Sequence, residues 1–455
     1  MSEIIASVSG VRGILGDNLS PGNIIKFTSA FIGYCRRNSK SKKIVVGIDG
    51  RLHGNLISNI VLSTISMSGY TAIDIGVVPT PTVQIATEEL KAAGGIAITA
   101  SHNPQIWNGL KFLNSNGTFL DGQQIKEVIA SSKASDFNYA GIKEIKPIVS
   151  DYTWIQKHID KVLKLKSVNL STIRKKKFKI VVDAVNSSGS YIVPILLKEL
   201  GCKIIELFCD GSGIFPHMPE PLPHNLKQLC SAVKKHKADL GISVDPDSDR
   251  LVIITDKGEP FIEENTITTV VKSVFKHSKS KNKIATVNLS TTRAVDDAAK
   301  EYGGKVFRSP VGEINVVKEM KRNRSIVGGE GSGGVIIPEL HYGRDAIVGI
   351  ALVLQEFAEY KGKVSDYKIS LPNYYISKVK FDVSGNPDIV LQKVINHYKN
   401  KSCKITTSDG VKLDFPEYWI HMRKSNTEPI IRIIVEAQSK KEADDVQNEL
   451  KSFLK

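Results

Sequence analysis

Short apolar runs alternate along the chain with stretches whose apolar residues recur at helical spacing. Lys43 to Ile48 is β-rich, Asn55 to Met67 has helical spacing, Thr71 to Ile75 is a second strand, and Gly76 to Pro81 opens another helix. Gly94 to Ile98 is wholly apolar with glycines at its start, which predicts a buried strand. Upstream, Ser20-Pro21 has the form of an N-cap with proline in the first turn and predicts a helix through about Arg37. This β-α-β-α rhythm argues for an α/β domain with a largely parallel sheet, closed by Asp121 to Ser132. Periodicity is weak over 133–150, which reads as a connection. The rhythm then returns: a helix near Tyr152 to Leu165, strands at Phe178 to Asp183, Cys202 to Phe208 and Ala238 to Val244, and a helix at Tyr191 to Leu200. A third α/β unit spans about Thr255 to Gly362, with a strand at Ile284 to Leu289, a helix at Thr292 to Tyr302 and a long apolar helix from Tyr342 to Tyr360. From about residue 369 the spacing shortens, as in an α+β fold.

Composition narrows the class. A chain of 455 residues suggests three or four domains, and 41% hydrophobic with 24% charged residues gives a globular chain with ample core. No apolar run approaches the ~20 residues of a membrane span, and the N-terminus has no apolar leader, so no membrane association is expected. The five cysteines, Cys35, Cys202, Cys209, Cys230 and Cys403, are odd in number and scattered, which fits small core residues in a reducing cytoplasm. The net charge of +15 could serve nucleic acid or could draw in anionic small molecules. Its clusters, Arg174 to Lys177 and Lys276 to Lys283, lack the interleaved aromatics of a nucleic-acid platform, so the second use is favoured.

The candidate chemistry begins at Thr99-Ala100-Ser101-His102-Asn103-Pro104, directly after the glycine-led strand. Pro104 cannot continue a ladder, so Ser101 should stand on a loop at the strand's C-terminal end, where open α/β sheets bind ligands. A serine-hydrolase reading fails for want of a Gly-x-Ser-x-Gly elbow. Lys111 follows ten positions later. Near the N-terminus, Gly10-Val11-Arg12-Gly13 reads as a glycine loop offering amides and a guanidinium to phosphate.

Asp245-Pro246-Asp247-Ser248-Asp249-Arg250 places carboxylates at i, i+2 and i+4, which in an extended loop share one side and suit Mg²⁺. It is no EF-hand, because Arg250 stands where the sharp turn needs glycine and Asp256 where glutamate closes the loop. Gly328 to Gly334 sets Glu330 and Ser332 among glycines without the Lys-Ser/Thr ending of a P-loop. Arg423-Lys424-Ser425-Asn426-Thr427 offers a guanidinium, two hydroxyls and an amide suited to a phosphate.

Taken in order, these motifs resemble those of the α-D-phosphohexomutases, the phosphoglucomutase/phosphomannomutase superfamily that includes phosphoglucosamine mutase. The resemblance covers essentially the full chain. It implies that Ser101 is a phosphoserine, with Lys111, Arg250, His102 and Arg12 around it. It implies that Asp245, Asp247 and Asp249, with Ser101, hold Mg²⁺. Glu330 and Ser332 would contact sugar hydroxyls, and Arg423, Ser425, Asn426 and Thr427 would hold the phosphate that is not reacting. Gly334 stands where the family usually has histidine, which is expected to leave open space in the sugar loop.

The expected fold is three similar mixed-sheet α/β domains (1–148, 149–253, 254–367) and a smaller α+β domain (368–455) around one central cleft. The implied activity is interconversion of hexose 1-phosphate and hexose 6-phosphate through a hexose 1,6-bisphosphate, which also serves as activator. The sugar would be glucose or mannose, with glucosamine as a further substrate or as the dedicated one. A metal-dependent phosphatase on the same parts is the alternative. The expected partner is a small phosphosugar rather than nucleic acid or membrane; monomer and homodimer both stay open.

Overall fold

Four sheets organise the chain. The computed structural model describes residues 4–7, 10–134, 137–383, 386–424 and 430–454. The chain divides into two compact units, Met1–Thr266 with Ser332–Tyr367, and Ile267–Gly331 with Lys368–Lys455.

The first unit holds two sheets. The N-terminal sheet contains β1 (Ile5–Ser7), β2 (Gly10–Ile14), β3 (Lys43–Ile48), β4 (Thr71–Val77), β5 (Gly94–Ile98), β6 (Trp107–Leu113) and β7 (Ile148–Ser150), in the order β1-β2-β6-β5-β3-β4-β7. Strands β5, β3, β4 and β7 are parallel, while β6, β2 and β1 are added antiparallel. Two expectations change here. Gly10 to Gly13 is strand β2 rather than a loop, and its pairing with β1 and β6 leaves no run of amides free for an anion. The end of the 133–150 connection is β7, an edge strand of this first sheet.

The helix Pro21–Asn38 starts where the sequence indicates. Ser20 accepts from Asn23 N at 3.3 Å, and Pro21 occupies the first turn, where no intrahelical donor is lost. Its buried residues Ile24, Phe27 and Phe31 pack on the sheet, with Phe31 stacked 4.7 Å from Phe112. Truncating Phe31 to alanine would cost about 3–5 kcal/mol in so closed a site. On the opposite face, Gly95 admits the helix Thr80–Glu89: a Cβ there would lie 2.2 Å from Thr87 Oγ1.

The second sheet is built from β8 (Lys179–Asp183), β9 (Lys203–Phe208), β10 (Leu240–Val244) and β11 (Leu251–Thr255), in the order β11-β10-β8-β9. Strands β9, β8 and β10 are parallel, and β11 returns antiparallel to β10. The β10–β11 connection is the acidic loop 245–250.

The second unit contains β12 (Ile284–Asn288), β13 (Lys305–Ser309) and β14 (Val327–Glu330), with β12 parallel to both others. The short strand β15 (Gly334–Ile336) and the helix Ala346–Glu359 belong to the first unit. That helix begins later than its apolar run suggests, because Asp345 caps it, accepting from Ile347 N and Val348 N at 2.8 and 3.3 Å. The C-terminal sheet is wholly antiparallel: β16 (Tyr375–Asp382), β17 (Lys404–Thr406), β18 (Val411–Asp414), β19 (Trp419–Lys424) and β20 (Ile430–Ala437), in the order β16-β20-β19-β18-β17. Within the second unit, Arg293 ties the two sheets by donating to the carbonyls of Pro416 and Phe415 at 2.8 and 3.0 Å.

Candidate active site

The first unit gathers the strand ends into one charged cluster. Ser101 follows β5 and is 2% exposed, with φ +49°. That left-handed conformation costs a residue with a side chain about 1–2 kcal/mol, so the surroundings must hold it. They do so through Arg51, which follows β3. Arg51 Nη2 donates to the carbonyl oxygens of Ser101 (2.6 Å) and Asn103 (2.8 Å), and Nη1 to those of Pro104 (2.8 Å) and Trp107 (3.0 Å). Nε donates to Asp49 Oδ2 at 3.1 Å, so all five guanidinium donors are used. Thr99 Oγ1 donates to the same carboxylate at 2.6 Å and accepts from Ser101 N at 2.8 Å. Burial pushes the Asp49 carboxyl up, against the pull of Arg51. Sequence reasoning passed over this clamp, although Asp49-Gly50-Arg51 directly after a strand was a visible signal.

The side chain of Ser101 points at the acidic loop, with Oγ 3.2 Å from Asp245 Oδ2. Asp245, Asp247 and Asp249 each offer an oxygen within 4.8 Å of the others. Alternation along an extended loop is not the reason: Ser248 has φ +52°, and Ser248 N donates to Asp245 O at 2.9 Å, so a turn folds the three carboxylates together.

Every one of these carboxylates is anchored on one side. Asp245 Oδ1 accepts from Asp249 N and Arg250 N at 3.0 and 3.1 Å. Asp247 Oδ2 accepts from Lys111 Nζ at 2.6 Å and Thr80 Oγ1 at 2.7 Å. Asp249 Oδ2 accepts from Arg344 Nη2 at 2.6 Å. Among the described residues, Asp247 Oδ1 and Asp249 Oδ1 are buried without a hydrogen-bond partner. Clustered hard oxygens with unsatisfied lone pairs fit a divalent cation such as Mg²⁺. Burial first, then repulsion from Asp249 and Asp247, drives Asp245 well above the usual carboxylate range. Burial would raise Asp247 too, but Lys111 and the hydrogen bonds outweigh it and hold this carboxyl low.

The remaining first-unit candidates lie in the same cluster. Lys111, 4% exposed, stands on β6 opposite Ala97 of β5. Arg12 on β2 reaches Asn103 Oδ1 at 3.0 Å, its pKa lowered by burial. Arg250 lies 3.7 Å from Glu220 Oε1 and 3.9 Å from Asp249 Oδ1. His102 Nδ1 is 3.4 Å from Ser101 Oγ, too long for a strong hydrogen bond. Burial, with Arg250 and Arg12 nearby, takes its pKa down to about 3, so the ring is neutral and its 4.0 Å approach to Glu220 is no ion pair.

Glu330 ends β14 in the second unit, where Oε1 accepts from Asn288 Nδ2 at 2.8 Å and Gly312 N at 3.0 Å. Ser332 is half-buried and belongs to the first unit. Arg423 ends β19 with Nε 2.9 Å from Asp409 Oδ2. Ser425, Asn426 and Thr427 lie outside the described residues. The open space expected at Gly334 is not there. A Cβ on Gly334 would lie 2.3 Å from Arg344 Cδ and 3.0 Å from its Cγ, so the glycine makes room for that arginine.

A buried serine facing an acidic triad at the strand ends of the first unit is an arrangement suited to phosphoryl transfer. Family profiles match in sequence order: Phosphoglucomutase/phosphomannomutase, alpha/beta/alpha domain I at 4–139, domain II at 156–258, domain III at 263–375, and C-terminal domain at 379–452. The chain therefore belongs to the phosphoglucomutase/phosphomannomutase family, the α-D-phosphohexomutases, and is an isomerase that acts as an intramolecular phosphotransferase. A Thermococcus kodakarensis relative named phosphoglucomutase/phosphomannomutase is 36% identical over 95% of this chain and 94% of its own. A Sulfurisphaera tokodaii relative named phosphoglucosamine/phosphogalactosamine mutase is 31% identical over 98% of both chains. In structure, a Burkholderia thailandensis family member superimposes with a TM-score of 0.87 at 24% identity, covering 98% of this chain and 96% of that one, which supports the fold.

Proposed function

We propose that the chain interconverts hexose 1-phosphates and hexose 6-phosphates, in the cytoplasm, through a phosphoserine at Ser101 and a hexose 1,6-bisphosphate that also acts as activator. The observation that carries this reading is the 3.2 Å approach of Ser101 Oγ to Asp245 within a triad that Lys111 pairs with. In the first half-reaction the bond from phosphorus to Ser101 Oγ breaks as one forms to the sugar hydroxyl. In the second, the sugar's other phosphoryl group returns to Oγ. Asp245, Asp247 and Asp249 would hold Mg²⁺, whose charge would stabilise the moving phosphoryl group.

Lys111 is the group for the proton or for charge beside Oγ, and Arg12 and Arg250 add positive charge. His102, neutral at working pH, packs against the serine rather than exchanging a proton with it. Glu330 and Ser332 read hydroxyls at C3 and C4. Arg423, Ser425, Asn426 and Thr427 grip the phosphate that is not reacting, in either orientation of the sugar. The working division of the chain is about 1–148, 149–253, 254–367 and 368–455, with the first boundary moved past β7 and the second past β11 so that each sheet stays whole.

None of these groups reads C2, and a hydroxyl left unread gives little discrimination. Glucose, mannose and glucosamine 1-phosphates should therefore differ in kcat/KM by less than about 10²-fold, with C4 epimers poorer. A coupled assay over that panel, with galactosamine 1-phosphate included, tests this. A preference above about 10³-fold at C2 contradicts it. A second reading, dedicated phosphoglucosamine mutase, is favoured by the names of several relatives, and an exclusive preference for glucosamine 1-phosphate would establish it. Release of inorganic phosphate without isomerisation would instead indicate a phosphatase.

A further inference from the structure

We propose that Arg344 is a positioning residue for the metal loop, and that Gly334 is a glycine because the Arg344 side chain must lie across it. This rests on the reading of the triad as a cation site. The backbone around Arg344 is fixed on both sides. Gly343 abuts the helix Thr80–Glu89, since a Cβ there would meet Gln84 Oε1 at 2.1 Å. Asp345 N donates to Val335 O at 2.8 Å, and Ala346 N to Ser248 O at 3.1 Å, so the residue is held between β15 and the acidic loop. The Asp345 carboxylate is committed elsewhere, to its own helix N-terminus, to His158 Nε2 at 2.8 Å and to His341 Nε2 at 3.2 Å.

From that fixed origin the Arg344 stem runs over Gly334, and its guanidinium reaches Asp249 Oδ2 at 2.6 Å. The consequence is at the other oxygen. With Oδ2 occupied by Arg344, and Lys111 Nζ 3.8 Å from the same atom, Oδ1 is left without a hydrogen-bond partner beside Asp245 and Asp247. Arg344 thus sets the rotation of the Asp249 carboxylate and presents Oδ1 to a cation, as groups bonded to metal ligands do. A purely structural ion pair would affect folding without changing metal affinity.

The test is titration of the full-length chain with Mn²⁺, read by loss of the free-ion EPR signal. R344M keeps the stem over Gly334 and removes the guanidinium; it should raise the Mn²⁺ Kd about tenfold or more. G334A should do the same, because its methyl displaces the stem. G334A/R344A should bind no more weakly than R344A, because without the stem there is nothing to displace. R344M and G334A within twofold of wild type would overturn the proposal, as would independent, multiplying losses in the double variant. Should R344A not fold, R344M and G334A decide alone. D247N keeps the two readings apart: wild-type binding that is weakened by D247N and unaffected by R344M removes only the role of Arg344. A wild type that binds no Mn²⁺ removes the cation site itself.

Discussion

Arg51 Nη2 donates to the main-chain oxygen of Ser101 at 2.6 Å, so the proposed nucleophile is held from behind by a guanidinium that belongs to a different strand end. Lysine at this position keeps the charge but cannot satisfy four carbonyls and a carboxylate from one rigid fork. Arg51→Lys should lower kcat about 10²-fold through misplacement of the serine. It should also lower the melting temperature, since each buried acceptor left short of a donor costs about 1–3 kcal/mol. Steady-state kinetics and a thermal melt on the same sample check both; an unchanged kcat would show that the clamp does not position Ser101.

Asp247 shares one oxygen with Lys111 and Thr80 and leaves the other unsatisfied. Excess chelator should abolish turnover and added Mg²⁺ should restore it. Asp247→Asn should raise the Mg²⁺ concentration needed for half-maximal rate by about tenfold or more. Full activity in excess EDTA contradicts the metal assignment.

Arg423 is partly buried beside Asp409, its Nε 2.9 Å from Oδ2. Arg423→Ala should lower the melting temperature by no more than a few degrees. It should raise KM for hexose phosphates about tenfold or more, through loss of a charge-assisted phosphate contact. An equal KM with a lowered melting temperature would make Arg423 structural.

His421 is buried in the second unit between the Ser290 hydroxyl and the Asp409 carbonyl, each 2.8 Å away. Burial lowers its pKa from 6.5 to about 4. The unfolded chain therefore takes up a proton below pH 6.5 while the folded chain does not until about pH 4. Stability from the neutral ring is complete above that window and falls as the pH drops through it, by about 1.4 kcal/mol per pH unit for one proton. His102, with a pKa of about 3, acts in the same direction in the first unit. Melting temperatures between pH 4.5 and 7 should fall toward acid, and His421→Gln should flatten that slope while lowering stability at pH 7. Identical slopes would mean that the ring titrates normally in the fold.

What the sequence revealed, and what it concealed, follows from how far each feature reaches along the chain. The exit of Ser101 from β5 was legible because glycines and Pro104 bracket a wholly apolar run. The segment around Arg12 was misread as a loop because two glycines in five residues look like one; pairing with the neighbouring β1 and with β6, far along the chain, makes it a strand. The convergence of the three aspartates was expected, but from alternation, whereas a turn at Ser248 produces it. The Arg51 clamp joins carbonyls some fifty residues away, and no local pattern encodes that. Gly334 showed that a side chain was missing; that Arg344 supplies the volume follows only from the contact between β15 and the residues before Asp345.

The central claim is that the phosphoryl group on Ser101 enters the sugar. Enzyme carrying ³²P at Ser101, verified by its absence from Ser101→Ala, is chased with unlabelled glucose 1-phosphate and the products are separated. The account requires the label to leave the protein as hexose 1,6-bisphosphate and then hexose monophosphate, with glucose 6-phosphate accumulating at the same time. Label appearing as inorganic phosphate, or remaining on the protein while glucose 6-phosphate forms, would contradict it.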